Sequence, residues 1–191
     1  MISEVFAAEN NKPLSLYDYN LFLSAADKKK QETILKYKNR SNADNSLIGI
    51  ALAKSALTKV FGLHGNELEF GFGTGGKPFL INRPDIFFNI SHSHSLVVCA
   101  VADTPIGIDV EKIRSYNKRL ADKVFGKEIA LKLCNSPDCD AEFTKLWTEK
   151  EAVLKLTGEG ISGIRNQLST DAYKLETVLY KDYYITTAIY K

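Results

Sequence analysis

The chain has 191 residues, of which 45% are hydrophobic and 25% charged, a composition typical of globular proteins and unlike that of disordered or fibrous chains. This length allows one domain of good size, or two small ones that share a sizeable core. The formal net charge of +2 is too small to indicate nucleic-acid binding by itself.

The cysteines and the first eleven residues indicate in which cellular compartment the protein is expected. Cys99, Cys134 and Cys139 are an odd number without paired metal-ligand spacing, as expected for reduced thiols in a cytosolic protein. The longest apolar run, residues 96–102, is too short to span a bilayer, and residues 1–11 lack the basic start of a signal peptide. We therefore expect a cytoplasmic protein without a membrane segment.

Hydrophobic spacing predicts a strand and then helices in the first third of the chain. The strand covers residues 2–7, and a short helix covers residues 15–23. Ser24 caps a second helix over residues 25–38, and Asp44 begins the strongest helix of this half. The second helix carries a basic cluster on its outer face: Lys28, Lys29, Lys30, Lys36, Lys38 and Arg40.

Short extended segments are predicted after Gly62, which ends the third helix. They cover residues 68–72, 79–81 and 86–90, and the apolar residues 96–113 follow as a hairpin that turns around residues 103–105. The glycine-rich residues 71–76 lack the spacing of a phosphate-binding loop or a dinucleotide fingerprint, so we exclude both.

The second half repeats this order of helices followed by strands. Helices are predicted over residues 117–124, 128–134 and 140–157, and a hairpin over residues 175–180 and 183–190. Each half thus combines helices with a small antiparallel sheet. We predict an α+β protein of two similar lobes related by a pseudo-twofold axis, residues 1–103 and 104–191.

One strand in the middle of the chain carries two acids on the same face. In an extended segment over residues 106–113, Asp109 and Glu111 point to the side opposite Ile106, Ile108 and Val110, because side chains alternate along a strand. Neighbouring carboxylates repel each other, and a hard divalent cation such as Mg²⁺ removes that conflict. The alternative is an edge strand whose polar face is simply solvated.

The helix over residues 140–157 places a third acid beside an apolar face. Glu151 and Lys155 lie one turn apart at the margin of that face, whereas Lys150 lies within it and needs an anion or a path to solvent. The alternative is an amphipathic helix with a surface Glu–Lys pair. The apolar face consists of Phe143, Leu146, Trp147, Val153 and Leu154.

Four motifs in order carry a resemblance to a known family. Residues 107–111 (GIDVE) are followed by residues 147–155 (WTEKEAVLK), and upstream lie residues 76–78 (GKP) and 88–93 (FNISHS). This combination resembles the signature of the 4′-phosphopantetheinyl transferases, in particular the long, two-lobed type that activates peptide synthetases. Each motif is weak alone, and the four together are specific.

The resemblance implies a reaction and a metal site. Enzymes of this family transfer the phosphopantetheine arm of coenzyme A to a serine of an apo acyl- or peptidyl-carrier protein and release adenosine 3′,5′-bisphosphate. By this resemblance Asp109, Glu111 and Glu151 hold Mg²⁺. Glu151 is also the candidate general base for the serine proton, a role that competes with metal ligation because a ligand is held ionised.

The resemblance also implies contacts to coenzyme A. Lys77 and Lys155 reach its phosphates, Ser91 and His92 bind a phosphate of the nucleotide end, and Lys30 is the candidate for the 3′-phosphate. An ungapped alignment back from Gly49 puts Thr33 and Asn45 where the family usually has further basic residues near this segment, so nucleotide contacts from the first lobe stay open.

We expect a carrier protein and coenzyme A as partners, a monomer, and no nucleic acid or membrane. Carriers are commonly acidic around their serine, so a docking surface is predicted within residues 114–140. The carrier could serve fatty-acid, polyketide or nonribosomal-peptide synthesis. Other possibilities are a different Mg²⁺-dependent phosphotransferase that acts on a pyrophosphate, and a non-catalytic nucleotide- or nucleic-acid-binding module. The predicted docking surface is positive at Arg114, Lys118, Arg119 and Lys123.

Overall fold

The structure, a computed structural model, describes residues 2–73, 76–160 and 172–191. The chain forms two compact units, Met1–Ile106 and Gly107–Lys191. Both units combine helices with a small sheet, so the predicted α+β class is confirmed. Residues 74 and 75 of the glycine-rich stretch lie outside the described residues.

The first unit is built on a three-stranded antiparallel sheet with strand order β1-β5-β4, and a separate two-stranded ribbon pairs β2 with β3. Its described elements are β1 (Ser3–Glu9), α1 (Leu16–Ser24), α2 (Lys28–Leu35), α3 (Arg40–Phe61), a 3₁₀ turn (Gly65–Leu68), β2 (Phe70–Phe72), β3 (Pro78–Leu80), β4 (Phe87–Ser93) and β5 (Leu96–Ala102).

The second unit has its own three-stranded sheet, with strand order β6-β8-β7. The Ile113 N–H donates to the Asp182 carbonyl oxygen at 2.7 Å, which places the end of β6 beside the start of β8, as antiparallel pairing requires. Its described elements are β6 (Ile106–Lys112), α4 (Lys118–Phe125), α5 (Lys127–Cys134), α6 (Cys139–Thr157), β7 (Tyr173–Tyr180) and β8 (Tyr183–Tyr190).

The two units share one topology, which supports the prediction of two similar lobes. In each, the first strand lies at one edge of the sheet and pairs with the last strand, which becomes the centre. The long helix packs on that central strand, α3 on β5 and α6 on β8. In the first unit, β5 is buried along its whole length, and Leu47 and Leu57 of α3 are fully buried in the same unit. Burial of this apolar surface is the main source of stability.

The predicted hairpin over residues 96–113 is wrong. Its two runs are strands, but β5 pairs with β1 and β4, whereas β6 pairs with β8. The Asp103 N–H donates to the Ile2 carbonyl oxygen at 3.1 Å, so the chain leaving β5 stays bonded to the start of β1. Pro105 follows in the connection and offers no backbone donor for a hairpin ladder.

Two helix starts also differ from the prediction. Helix α2 begins at Lys28 because the Asp27 side chain accepts the Lys30 N–H at 3.0 Å, whereas the Ser24 hydroxyl donates to the Leu21 carbonyl oxygen. Helix α3 begins at Arg40, with Asn39 as its N-cap.

Asp44 is therefore an interior residue of α3 rather than its cap. It is buried, and one of its carboxylate oxygens accepts the Arg40 Nε at 2.7 Å while the other accepts the Leu14 N–H at 3.1 Å. The predicted ends of α3 and α6 are right: Gly62 and Gly158 close these helices with φ of +67° and +79°, a conformation that glycine adopts without strain. Helix α2, in contrast, ends at Leu35, before the predicted residue 38. Within the described ranges, none of the helices combines the length and apolar character needed to cross a bilayer.

Candidate active site

Strand β6 lies directly against helix α6 at Gly107. A Cβ atom on Gly107 would stand 2.1 Å from the Ala152 carbonyl oxygen and 2.5 Å from the Leu156 nitrogen, which is far inside van der Waals contact. Only glycine allows the two backbones to come this close. The sequence signal for this contact is a glycine inside a strand pattern, which our sequence reasoning did not use.

Because the strand and the helix are this close, the acids of the strand lie near the helix residues that precede Ala152 and Leu156, which are Glu151 and Lys155. Asp109, two residues after Gly107, is 4% exposed, and Glu111 is half-buried at the end of the strand. The Lys155 Nζ lies 2.6 Å from the Asp109 Oδ1. The structure thus joins Asp109 and Lys155, which are 46 positions apart in the sequence.

Glu151 belongs to the same cluster. Burial raises the pKa of its carboxyl above the ordinary value, and the negative charges of Asp109 and Glu111 raise it further. The positive charges of Lys155 and Arg114 oppose this shift. Asp109 and Glu111 on β6 therefore lie close enough to Glu151 on α6 for their charges to affect its pKa.

The donor chemistry of this cluster suits a hard cation, since carboxylate oxygens are the ligands that Mg²⁺ prefers. Among the described residues, however, no group of three His, Cys, Asp or Glu side chains is already arranged around a common point that could hold a metal. The cation in contact with Asp109 is the Lys155 ammonium. This ammonium lies on one oxygen of the carboxylate, Oδ1, and would compete with a metal ion for that oxygen.

Arg114 extends the cluster along α6. Its guanidinium carbon lies 4.5 Å from the centre of the Trp147 ring and 5.5 Å from that of Phe143, in cation–π contact. Within the described residues, no hydrogen-bond partner faces its buried Nε and Nη2. Arg114 is thus held against the aromatic face of α6, whereas Lys118 and Lys123 of the predicted docking surface are exposed.

Lys150, which was expected to need an anion or a path to solvent, has a backbone carbonyl group as a partner. Its Nζ donates to the Val124 carbonyl oxygen at 2.8 Å and lies 5.7 Å from the centre of the Phe125 ring. Burial lowers the pKa of Lys150. This side chain thus joins the end of α4 to α6.

The predicted coenzyme A residues other than Lys155 lie in the first unit. Ser91 and His92 are neighbours on β4, where Ser91 is buried and His92 is exposed on the opposite face. The Lys77 Nζ donates to the Ile106 carbonyl oxygen at 3.2 Å, and burial lowers the pKa of this lysine. Burial also lowers the pKa of Lys30, with Asp27 opposing the shift. Both ammonium groups therefore lie in partly desolvated surroundings.

Comparison with known proteins agrees with this arrangement. The profile of the 4′-phosphopantetheinyl transferase superfamily matches residues 105–180, and that of the 4′-phosphopantetheinyl transferase N-terminal family matches residues 12–104. The chain belongs to the 4′-phosphopantetheinyl transferase superfamily. Within it, the relatives are of the long type named after Sfp, and the predicted family and enzyme class are confirmed.

Three curated relatives illustrate the similarity. A 4′-phosphopantetheinyl transferase of Bacillus subtilis is 33% identical over 161 residues, which cover 83% of this chain and 72% of the relative. The 4′-phosphopantetheinyl transferase gsp of Aneurinibacillus migulanus is 32% identical over 183 residues, 95% of this chain and 76% of the relative. The 4′-phosphopantetheinyl transferase Sfp of Bacillus subtilis strain 168 is 31% identical over 161 residues, with coverages of 83% and 72%.

Proposed function

We propose that the protein transfers the 4′-phosphopantetheine group of coenzyme A to a serine of an apo acyl- or peptidyl-carrier protein and releases adenosine 3′,5′-bisphosphate. The observation that carries this proposal is the cluster on β6 and α6, in which Asp109 contacts Lys155 and shares its surroundings with Glu151. Acids that bind a cation and a lysine that binds phosphate are what the transfer of a phosphate ester from a pyrophosphate requires.

Asp109, Glu111 and Glu151 are the residues that would hold Mg²⁺ in this proposal. When bound, the cation would supply neutralisation of the pyrophosphate charge as the P–O bond breaks. Lys155 would turn from Asp109 to the phosphate oxygens and contribute a second positive charge. Burial of Asp109 excludes water and so strengthens every charge interaction at this point.

Glu151 is the proposed acceptor of the serine proton, with only loose or shared contact to the cation, because full ligation would make its carboxylate a weaker base. Its pKa is raised above that of an ordinary glutamate, so the ionised Glu151 carboxylate is a stronger base. The carrier serine loses its proton to the Glu151 carboxylate as its oxygen attacks the phosphorus, and adenosine 3′,5′-bisphosphate leaves with the electron pair of the broken P–O bond.

In the first unit, Lys30, Lys77, Ser91 and His92 are the proposed contacts to the phosphates of coenzyme A. The partly desolvated surroundings of both lysines strengthen their attraction to a phosphate. On this proposal residues 1–103 supply nucleotide contacts, and residues 104–191 supply the acids and the catalytic helix.

The carrier is proposed to approach α4, where Lys118, Arg119 and Lys123 are exposed. These charges would attract the acidic surface around a carrier serine. Arg114 is left out of this surface because it is stacked on Trp147. A monomer that binds neither nucleic acid nor membrane stays our prediction.

The test is a transfer reaction followed by mass spectrometry. The protein is incubated with coenzyme A, Mg²⁺ and an apo-carrier, and the carrier is expected to gain one phosphopantetheine group while adenosine 3′,5′-bisphosphate accumulates.

Asp109→Asn should lower kcat/KM by roughly a hundredfold or more, because it removes a charged ligand from the site.

Asp182→Asn is the matched control, since this carboxylate lies on the exposed β7–β8 turn of the same unit and pairs with Lys112 at 3.2 Å. It should leave kcat/KM unchanged. Absence of any mass gain on carriers from fatty-acid, polyketide and peptide synthases would overturn the proposal, as would full activity of Asp109→Asn in EDTA.

A further inference from the structure

Two side-chain amides connect three elements of the first unit. Asn45, on α3, is 2% exposed, and its Nδ2 donates to the His94 carbonyl oxygen at 2.7 Å. The Oδ1 of Asn45 accepts the Nδ2 of Asn10 at 2.8 Å, and the Asn10 backbone N–H donates to the Ser95 carbonyl oxygen at 2.6 Å. The end of β1, helix α3 and the β4–β5 turn are thus tied together.

The direction of these bonds is fixed by chemistry. The His94 carbonyl can only accept, so the NH₂ group of Asn45 must face it. The Asn45 oxygen then faces Asn10, which must present its own NH₂ group. Neither amide can be reversed without breaking a bond, so the arrangement has one orientation.

The carbonyl that Asn45 holds belongs to a strained residue. His94 has φ of +52°, in the left-handed region that residues with a Cβ rarely adopt. It occupies the turn between β4 and β5, in which Ser93 pairs with Leu96. A non-glycine residue keeps such a conformation only where its surroundings impose it, and the Asn45 bond is a contact that does so.

This turn begins two residues after His92. His92 pairs with Val97 one register position before the turn. Helix α3 also touches this hairpin one turn beyond Asn45, where a Cβ on Gly49 would stand 2.9 Å from the Ile90 Cγ2 and 3.6 Å from the Val97 Cγ1. The position of His92 is therefore set by α3 at both the hairpin body and its turn.

We propose that Asn45 is a positioning residue that holds His92 for a phosphate of coenzyme A by fixing the His94 carbonyl. This inference rests on the proposed function, in which His92 binds that phosphate. Asn45 would not contact the nucleotide itself, because it is buried and both ends of its amide are already bonded within the first unit.

The experiment compares Asn45→Asp with wild type in two measurements. Asp keeps the acceptor for Asn10 but sets a carboxylate oxygen against the His94 carbonyl, so the bond to that carbonyl is lost. The buried carboxylate also costs stability, and the Asn45→Ala variant described below separates that cost from the loss of the bond. The first measurement is the NMR spectrum of the histidine rings in the ligand-free protein. The chain has three histidines, and single His→Gln replacements assign their signals.

In Asn45→Asp the His92 signal should move while that of His64, on another turn, stays. The second measurement is steady-state kinetics. The KM for coenzyme A should rise roughly three- to tenfold, the effect of one lost hydrogen bond, with little change in kcat or in the KM for the carrier.

Two further variants separate positioning from general loss of structure. Asn45→Ala combined with His94→Gly should recover the KM for coenzyme A relative to Asn45→Ala alone, because glycine adopts a positive φ without support. Lys181→Gly is the matched control: Lys181 has φ of +54° in the β7–β8 turn of the other unit, and its replacement should change neither signal nor KM.

A raised KM for coenzyme A with an unmoved His92 signal would overturn the inference, since Asn45 would then act on the nucleotide directly. An unchanged KM would overturn it as well. Both outcomes presuppose that the wild-type protein transfers phosphopantetheine. A wild-type protein that transfers nothing would count against the proposed function instead.

Discussion

At the scale of single residues, Lys155 has two proposed partners. Its ammonium is 2.6 Å from Asp109, a residue that we also assign to a divalent cation. The two cations cannot both occupy the same carboxylate oxygen, so binding of one favours release of the other. Metal binding would free Lys155 to bind the pyrophosphate, and the two binding events would be coupled through this side chain.

Lys155→Gln should therefore bind metal more tightly than wild type in the absence of coenzyme A. We expect a gain of roughly tenfold, because a competing positive charge is removed. Titration of Mn²⁺ followed by electron paramagnetic resonance of the free ion measures this affinity.

Lys145→Gln is the control on the same helix, because Lys145 is half-exposed and lies 3.9 Å from Glu149. It should leave metal affinity unchanged. Weaker metal binding by Lys155→Gln would contradict the exchange of cations at Asp109.

The raised pKa of Glu151 gives a prediction for stability against pH. The folded protein holds the Glu151 proton more tightly than the unfolded chain, so ionisation costs stability as pH rises from the ordinary glutamate value of 4.5 through the raised value. Glu151→Gln should thus stabilise the metal-free protein at neutral pH, by about 1 kcal/mol or less because solvent screens this half-buried group.

Urea denaturation across the pH range measures this effect. The difference between Glu151→Gln and wild type should shrink as pH falls and vanish well below 4.5, where wild-type Glu151 is protonated in both the folded and the unfolded state. A difference that grows on acidification would show that the carboxylate is held ionised by its neighbours.

The difference in burial between two of the cysteines predicts a difference in their reactivity. Burial raises the pKa of Cys99 to about 12, whereas Cys134 is exposed. The thiolate is the reactive form, so iodoacetamide at pH 8 should modify Cys134 in the folded protein and leave Cys99 intact. Peptide mass spectrometry locates the label, and Cys99 should react once guanidinium unfolds the chain.

At the scale of elements, the contact between β6 and α6 depends on Gly107. Gly107→Ala should destabilise the protein by about 1–3 kcal/mol, because the added methyl group forces the strand away from the helix backbone. Urea denaturation measures the loss. In Gly73→Ala the nearest described atom to the new Cβ would be the Lys77 carbonyl oxygen, at an ordinary contact distance of 3.7 Å, so this control should be close to neutral.

The same elements indicate what the sequence could and could not predict. The D-x-E strand and the helix with Glu151 and Lys155 were predicted because their hydrophobic periodicity is local and strong. The hairpin over residues 96–113 was wrong because strand pairing is decided by residues distant in the chain, here β1 and β8. Asp44 was mistaken for a cap because its true partners, Arg40 and Leu14, are set by packing.

At the scale of the whole molecule, charge on α4 bears on the choice of carrier. Arg119→Glu combined with Lys123→Glu should raise the KM for an acidic carrier severalfold and leave the KM for coenzyme A unchanged. The effect should fade as salt rises, because exposed charges are screened. An unchanged carrier KM at low salt would dismiss α4 as the docking surface.

The shared strand order of the two units has a consequence for biosynthesis. In both sheets the centre is the strand made last, β5 in one and β8 in the other, and each must insert beside a strand that left the ribosome long before. Neither sheet can close until translation of its unit is nearly complete, and the closing contacts span most of that unit. Pairings this distant in the chain form slowly, so we expect the nascent first unit to stay open to chaperones until residue 102 has emerged.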